Sequence, residues 1–318
     1  MTKYLFLLLL IPSIFSCKNP NENKMSENTS AGSDSTGLKI SLAQWSFHKT
    51  LQSGEMDHLQ FAEKAGALGF TGVEYVNQFF KDKAQDTAYL NMMTAKANAA
   101  GVKQLLIMID GEGHLGDPDE TKRNEAVLNH HKWVDAAAYL GCHSIRVNAH
   151  GEGKAEDVAK AAIDGLSKLS DYASAKNINV IVENHGGYSS NGQWLADVMA
   201  KVNKPNCGTL PDFGNFCLRS EKDAKGDNKC VEEYDRYKGV EELMPYAKAV
   251  SAKSFDFGEL GFETTIDYPK MMDIVQKANY RGFIGVEYEG TVLSEEEGIK
   301  ATKVLIENCI KELSAKSE

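Results

Sequence analysis

The chain has 318 residues, 42% hydrophobic and 25% charged, with a formal net charge of −10. This is an ordinary globular composition with ample apolar material for a core, and length alone allows one large domain or two average ones. The acidic surplus repels phosphate backbones and argues against a nucleic-acid partner.

The chain opens "MTKYLFLLLLIPSIFSC". Lys3 is a charged head, and the apolar run from Tyr4 to Phe15 is too short to span a bilayer, which takes about 20 residues. A short apolar run after a basic start reads as a secretory signal over residues 1–17. Its end, "IFSC", resembles the bacterial lipobox. That resemblance implies that Cys17 is lipidated and becomes the mature N-terminus, which would place the protein in the cell envelope and tie it to the membrane only through the lipid. The bland alternative is a plain signal peptide with an incidental cysteine. Residues 18–37 have almost no apolar side chains and read as a flexible tether. A folded domain is expected over 38–318.

From Leu38 onward a short β-branched run, a polar loop and a longer helical segment recur. The runs are "KISLAQW", "TGVEYV", "VKQLLIMI", "HSIRVNA", "INVIVEN", "CGTLPDF", "AVSAKSF" and "RGFIGVEYE". The segments "MDHLQFAEKAGALG" and "TAYLNMMTAKANAAG" close on glycine, a common helix stop. "DETKRNEAVLNHHKWVDAAAYLG" opens on Asp119 with an acidic first turn and stops at Gly141. In the next segment Val158, Ala162, Leu166 and Leu169 recur at helical spacing. Ser294 and Glu297 have the spacing of a capping box. Alternation of eight strand and eight helix signals predicts a single-domain (β/α)₈ TIM barrel of the α/β class. Two doubly wound domains are the rival, but no "GxGxxG" follows the first strand.

Five cysteines follow Cys17. Cys142, Cys207 and Cys309 read as small buried hydrophobes. Cys217 and Cys230 flank the polar run "LRSEKDAKGDNK", read here as a loop that a disulfide would close outside the cytoplasm.

In such a barrel the ligand site lies at the C-terminal ends of the strands. Those ends present Gln44, Trp45 and His48; Glu74 and Tyr75; Asp110, Glu112 and His114; Asn148 and His150; Glu183, Asn184 and His185; Asp212 and Asn215; Lys253 and Asp256; and Glu287 and Glu289. His130 and His131 lie mid-helix and read as structural. Glu183, Asp212 and Glu287 come from three different strands. Three carboxylates in one cavity repel unless a cation neutralises them or they share protons. Oxygen ligands with some histidine suit magnesium, manganese or a similar divalent ion.

"VIVENHGG", "DFGNF" and "GFIGVEYEG" resemble the xylose-isomerase-like TIM-barrel superfamily of sugar isomerases and epimerases, over about residues 38 to 314. The resemblance implies one divalent ion (manganese, magnesium, cobalt or zinc) held by Glu183, Asp212 and Glu287. The family's strand-7 histidine, from the pattern "HxKD", is here Ser251, whereas Lys253 is retained. A fourth ligand would then be a water, Asn215 or His185, or nothing. The resemblance further implies a sugar isomerase or epimerase in which Glu183 and Glu287 move a proton beside a carbonyl. Lys253 would stabilise the oxyanion. Trp45, His48, His114, Asn148, His150, Asn184, His185 and Asn215 would bind a small carbohydrate. A lyase or hydrolase of keto-glycosides on the same barrel, and a carbohydrate-binding lipoprotein without catalysis, are the alternatives. Barrel relatives are often oligomers, so an oligomer is also open.

Overall fold

Each β-branched run forms a strand, and the helical segments pack over them. The computed structural model describes residues 36–317. The leader, the lipobox cysteine Cys17 and the tether up to residue 35 lie outside the described residues. The strands are β1 (Lys39–Ala43), β2 (Gly72–Val76), β3 (Lys103–Met108), β4 (Ser144–Val147), β5 (Asn179–Glu183), β6 (Cys207–Leu210), β7 (Cys217–Lys222), β8 (Asn228–Glu233), β9 (Val250–Ser254) and β10 (Phe283–Tyr288). Eight of them form a parallel sheet in the order β6-β5-β4-β3-β2-β1-β10-β9. Parallel bridges from Thr209 to Ala247 and from Asp212 to Ser251 join its two outer strands. The Ser251 amide donates to the Pro211 carbonyl at 2.9 Å across that seam. The result is the TIM barrel that the alternation predicts.

The helices follow the sequence signals closely. After the short α1 (His48–Gln52), the barrel helices are α2 (Phe61–Ala67), α3 (Thr87–Ala99), α4 (Glu120–Leu140), α5 (Ala155–Ser174), α6 (Gly192–Val202), α7 (Arg236–Leu243), α8 (Tyr268–Lys277) and α9 (Glu295–Ser317). Asp119 caps α4 by accepting from the Thr121 amide at 2.8 Å, and Gly141 ends it at φ 74°. Only a residue without a Cβ adopts that conformation readily, so the glycine terminates the helix. Ser294 and Glu297 form the expected capping box at α9. Among the described residues no helix is long and apolar enough to cross a membrane.

The two faces of the barrel strands differ sharply. Leu42, Val73, Ile107, Ile145, Val180, Val182, Val250, Ile284 and Val286 face the helices in one large apolar layer. The inward face carries only a small apolar cluster of Ala43, Val76, Leu106, Met108, Ile181, Leu210 and Ala249. The rest of the interior is polar.

The run between Cys217 and Cys230 is a correction to its reading as a loop. It forms the antiparallel hairpin β7–β8. Asp223 makes the turn by accepting from the amides of Lys225 and Asp227 at 2.8 and 3.0 Å, so polar residues here encode a turn between two exposed strands. Cys217 and Cys230 are disulfide-bonded, while Cys142, Cys207 and Cys309 are free.

Candidate functional site

Strand residues alternate between faces, so the inward residues of the eight strands converge on one lumen. At its upper end Glu183, Asp212 and Glu287 each offer an oxygen within 4.8 Å of the others'. All three are buried, at 1%, 0% and 4% exposure, so water does not screen their repulsion. Two cations answer it. The Lys253 ammonium lies 2.9 Å from Glu287 and 3.1 Å from Glu289. The Arg146 guanidinium lies 2.7 Å from Glu183 and 2.8 Å from Asp110. Asn215 links the two halves, donating to Glu183 at 2.9 Å and accepting from Lys253 at 3.3 Å.

This balance sets the protonation of the site. Burial pushes the Glu183 carboxyl up to about 7 against the pull of Arg146. Burial likewise raises Asp212 to about 6 and raises Glu287 despite Lys253. For Lys253 burial works against the charge, but Glu287, Asp212, Glu289 and Glu183 outweigh it and hold the ammonium well above the ordinary lysine range. Asp110 is also desolvated, yet Arg146 draws it down to about 2. His185 is lowered to about 3 by burial and by the cations Arg146 and Lys253. His150 is lowered too, chiefly by burial. Both imidazoles are therefore neutral hydrogen-bonding groups at neutral pH.

Of the three acids Glu287 lines a cavity of about 580 Å³, together with Trp45, Asp110, His114, Arg146, Asn148, His150, His185, Lys253 and Glu289 among others. Trp45 is fixed by its indole N–H, which donates to Glu289 at 2.5 Å. Of the residues expected to touch a ligand, Trp45, His114, Asn148, His150 and His185 stand on the cavity wall. His48 does not: it begins α1, and its ring turns back to stack on Trp45 at 4.9 Å and to bond the Trp45 carbonyl. Asn184 is fully buried and braces the end of β6, donating to the carbonyls of Asp212 and Asn215 and accepting from the Asp212 amide at 2.7 Å. It follows the inward Glu183, so alternation turns it away from the lumen. Asn215 is held within the acid cluster itself.

Among the buried charges of the lumen, Arg146 is the one that the strand ends do not announce, although it has the inward parity of Asn148. Glu74, expected at the mouth, lies deeper in the lumen, where it accepts from Ser41 at 2.6 Å. Burial pushes it up to about 7. Its carboxylate fills space that a Cβ at Gly285 would claim, approaching to 2.6 Å, so the glycine is required by the acid opposite.

The donor set fits a hard divalent cation. Even with Arg146 and Lys253 both charged, they oppose five carboxylates: Asp110, Glu183, Asp212, Glu287 and Glu289. The Glu183 Oε2 atom, although near Arg146, has no aligned hydrogen-bond donor. Among the described residues no histidine joins the three acids. Ser251, at the position of the family's histidine, instead donates to Asp212 at 2.6 Å. An all-oxygen set of this kind suits magnesium or manganese.

No curated protein matches the chain. Solved structures do. An L-ribulose 3-epimerase matches at 12% identity and a TM-score of 0.66, over 88% of this chain and 97% of that one. A 3-keto-D-glucoside 4-epimerase from E. coli matches at 13% and 0.62, over 85% and 99%. A barrel protein from Mycobacterium smegmatis in complex with magnesium matches at 13% and 0.63, over 86% and 97%. At these identities the likeness is one of fold. The sequence profile of the xylose isomerase-like TIM barrel family matches residues 62–309, and the chain belongs to that family.

Proposed function

We propose that this protein is a sugar isomerase or epimerase that moves a proton on a carbon beside a carbonyl. One observation carries the reading: Glu183 and Glu287, both buried, both raised in pKa and clustered with Asp212, lie next to a fixed ammonium, with Glu287 on the wall of a sugar-sized cavity. A carboxyl tuned near 7 exchanges protons readily at neutral pH.

In this mechanism the Glu183 carboxylate takes the proton from carbon. The C–H pair forms the new C–C double bond, and the carbonyl π pair goes to oxygen as an enediolate. Glu287, whose carboxyl pKa burial raises despite Lys253, returns a proton to carbon in the second half of the step; the carbon and face that receive it decide between isomer and epimer. The Lys253 ammonium stabilises the oxyanion without reorganising, because Glu287 and Glu289 already hold it in place. Neutral His150 and His185 orient hydroxyls, with His114 and Asn148 beside them, and Trp45 offers a sugar ring an apolar face. A divalent ion held by Glu183, Asp212 and Glu287 would supply further positive charge beside the substrate oxygens.

The test is turnover of ketoses by purified protein, followed by NMR. Chelation should abolish turnover and magnesium or manganese should restore it. A fully active Glu183→Gln variant would refute the mechanism.

We further propose that the chain is exported and anchored by a lipid on Cys17. The Cys217–Cys230 disulfide supports an oxidising compartment. Cys17→Ser should release the protein from membranes; unchanged membrane retention would count against the anchor.

A further inference from the structure

A second cavity of about 790 Å³ adjoins the first, and His150 and His185 line both. Its other walls come from Tyr188 and Trp194, after β5, and from Leu218 and Arg219 of the β7–β8 hairpin. The Tyr188 and Trp194 rings stack on one another with centroids 5.9 Å apart, and Tyr188 is 39% exposed. An exposed aromatic face backed by a second ring is a rigid apolar platform of the kind that covers the C–H face of a pyranose. Arg219 already pairs with Glu221 and Glu232. It therefore brings hydrogen-bond donors but no unneutralised charge, which disfavours a phosphate and favours a neutral ligand. Gly186 and Gly187, at φ 87° and 59°, line the second cavity beside His185, and even a Cβ there would meet nothing within 4 Å, so this wall stays low because the turn after β5 needs glycine.

Each cavity has the volume of a small-molecule site, about 300–1,000 Å³. One monosaccharide does not occupy both. We infer that the substrate is a neutral glycoside, with its reacting ring over Glu183 and Glu287 and its second sugar ring on Tyr188 and Trp194. The inference rests on the proposed carbohydrate chemistry for the location of the reacting ring.

The test compares binding of fructose with that of lactulose and isomaltulose, each a fructose unit carrying a second pyranose, by calorimetry on the purified protein. At least one disaccharide is expected to bind about tenfold tighter than fructose, the worth of one good aromatic contact. Tyr188→Ala should erase that advantage while fructose affinity stays unchanged. Arg219→Ala, on the exposed hairpin, should reduce it and serves as a second variant should Tyr188→Ala misfold. Disaccharides that bind no tighter than fructose, or a Tyr188→Ala variant that weakens all three sugars equally, would overturn the second subsite. Turnover of fructose without any disaccharide advantage would remove the subsite and leave the proposed reaction standing. A disaccharide advantage lost in Tyr188→Ala, in a protein that turns over none of the three, would do the reverse.

Discussion

On β4, Ile145 points into the helix layer and Arg146 points into the barrel, and both are buried. Burial does opposite things to them. Ile145 gains free energy in proportion to the apolar area removed from water. Arg146 loses hydration and is tolerated only because Asp110 and Glu183 meet it. The same contrast separates Val182 from Glu183, Ala252 from Lys253 and Val286 from Glu287. In these four strands one face is built for stability, whereas the other accepts desolvated charge and so acquires the shifted pKa values that chemistry needs.

The contrast is sharpest for Glu183→Gln, which keeps the volume and removes the base. Turnover is expected to fall by about 10²–10⁴, while the urea midpoint stays close to wild type. A midpoint that collapses together with activity would show that the inner face is structural as well. Arg146→Met probes that point directly. It strands Asp110 and Glu183 without their cation, and removing one partner of a buried pair costs about 3–5 kcal/mol. Ile145→Ala, its neighbour, should cost about 2–5 kcal/mol through the cavity left behind and leave turnover per folded molecule unchanged. Equal losses of turnover in the two variants would erase the division between faces.

A smaller effect is expected from the divalent ion. Magnesium or manganese at about 100 times its dissociation constant should stabilise the fold by about 2.7 kcal/mol, read as a rise in the thermal midpoint. Asp212→Asn should remove most of that rise. An unaltered rise in this variant would place the ion elsewhere.

The outer face was the easier one to read. Aliphatic runs, glycine stops and caps such as Asp119 and Ser294 are local signals, and the fold follows from their alternation. The three acids were legible because each ends a strand. Arg146 was not, because a charged residue within a short strand looks like a solvent-facing one until the barrel closes around it; Glu74 was legible as a strand-end acid, but not its burial in the lumen. His48 and Asn184 misled for the converse reason: they sit at strand ends, but a helix start and the strand parity turn them away. The β7–β8 hairpin was missed because its strands are exposed and carry little apolar alternation, so only its turn and its two cysteines mark it.

Glu74 gives the subtlest test of the inner face, since it lies below the acid cluster and takes no part in the proposed reaction. Burial lifts its carboxyl from 4.5 to about 7. Between those values the folded protein keeps the proton while the unfolded chain releases it, so protonation favours the folded state. That contribution is complete below about pH 4.5, drains away as pH rises, and is gone above about pH 7. A shift of this size corresponds to about 3 kcal/mol at most. Ser41 retains its acceptor in Glu74→Gln, but the new amide brings a buried N–H₂ that costs something at every pH. The informative quantity is therefore the pH dependence of the stability difference, measured by urea unfolding at pH 5 and pH 8. Relative to Glu74→Gln, wild type should lose about 2 kcal/mol between the two. A difference that does not vary with pH would mean that Glu74 is already ionised in the folded protein at pH 5. The inner face would then tolerate a bare charge at its deepest point, and desolvation would not be what tunes the acids above it.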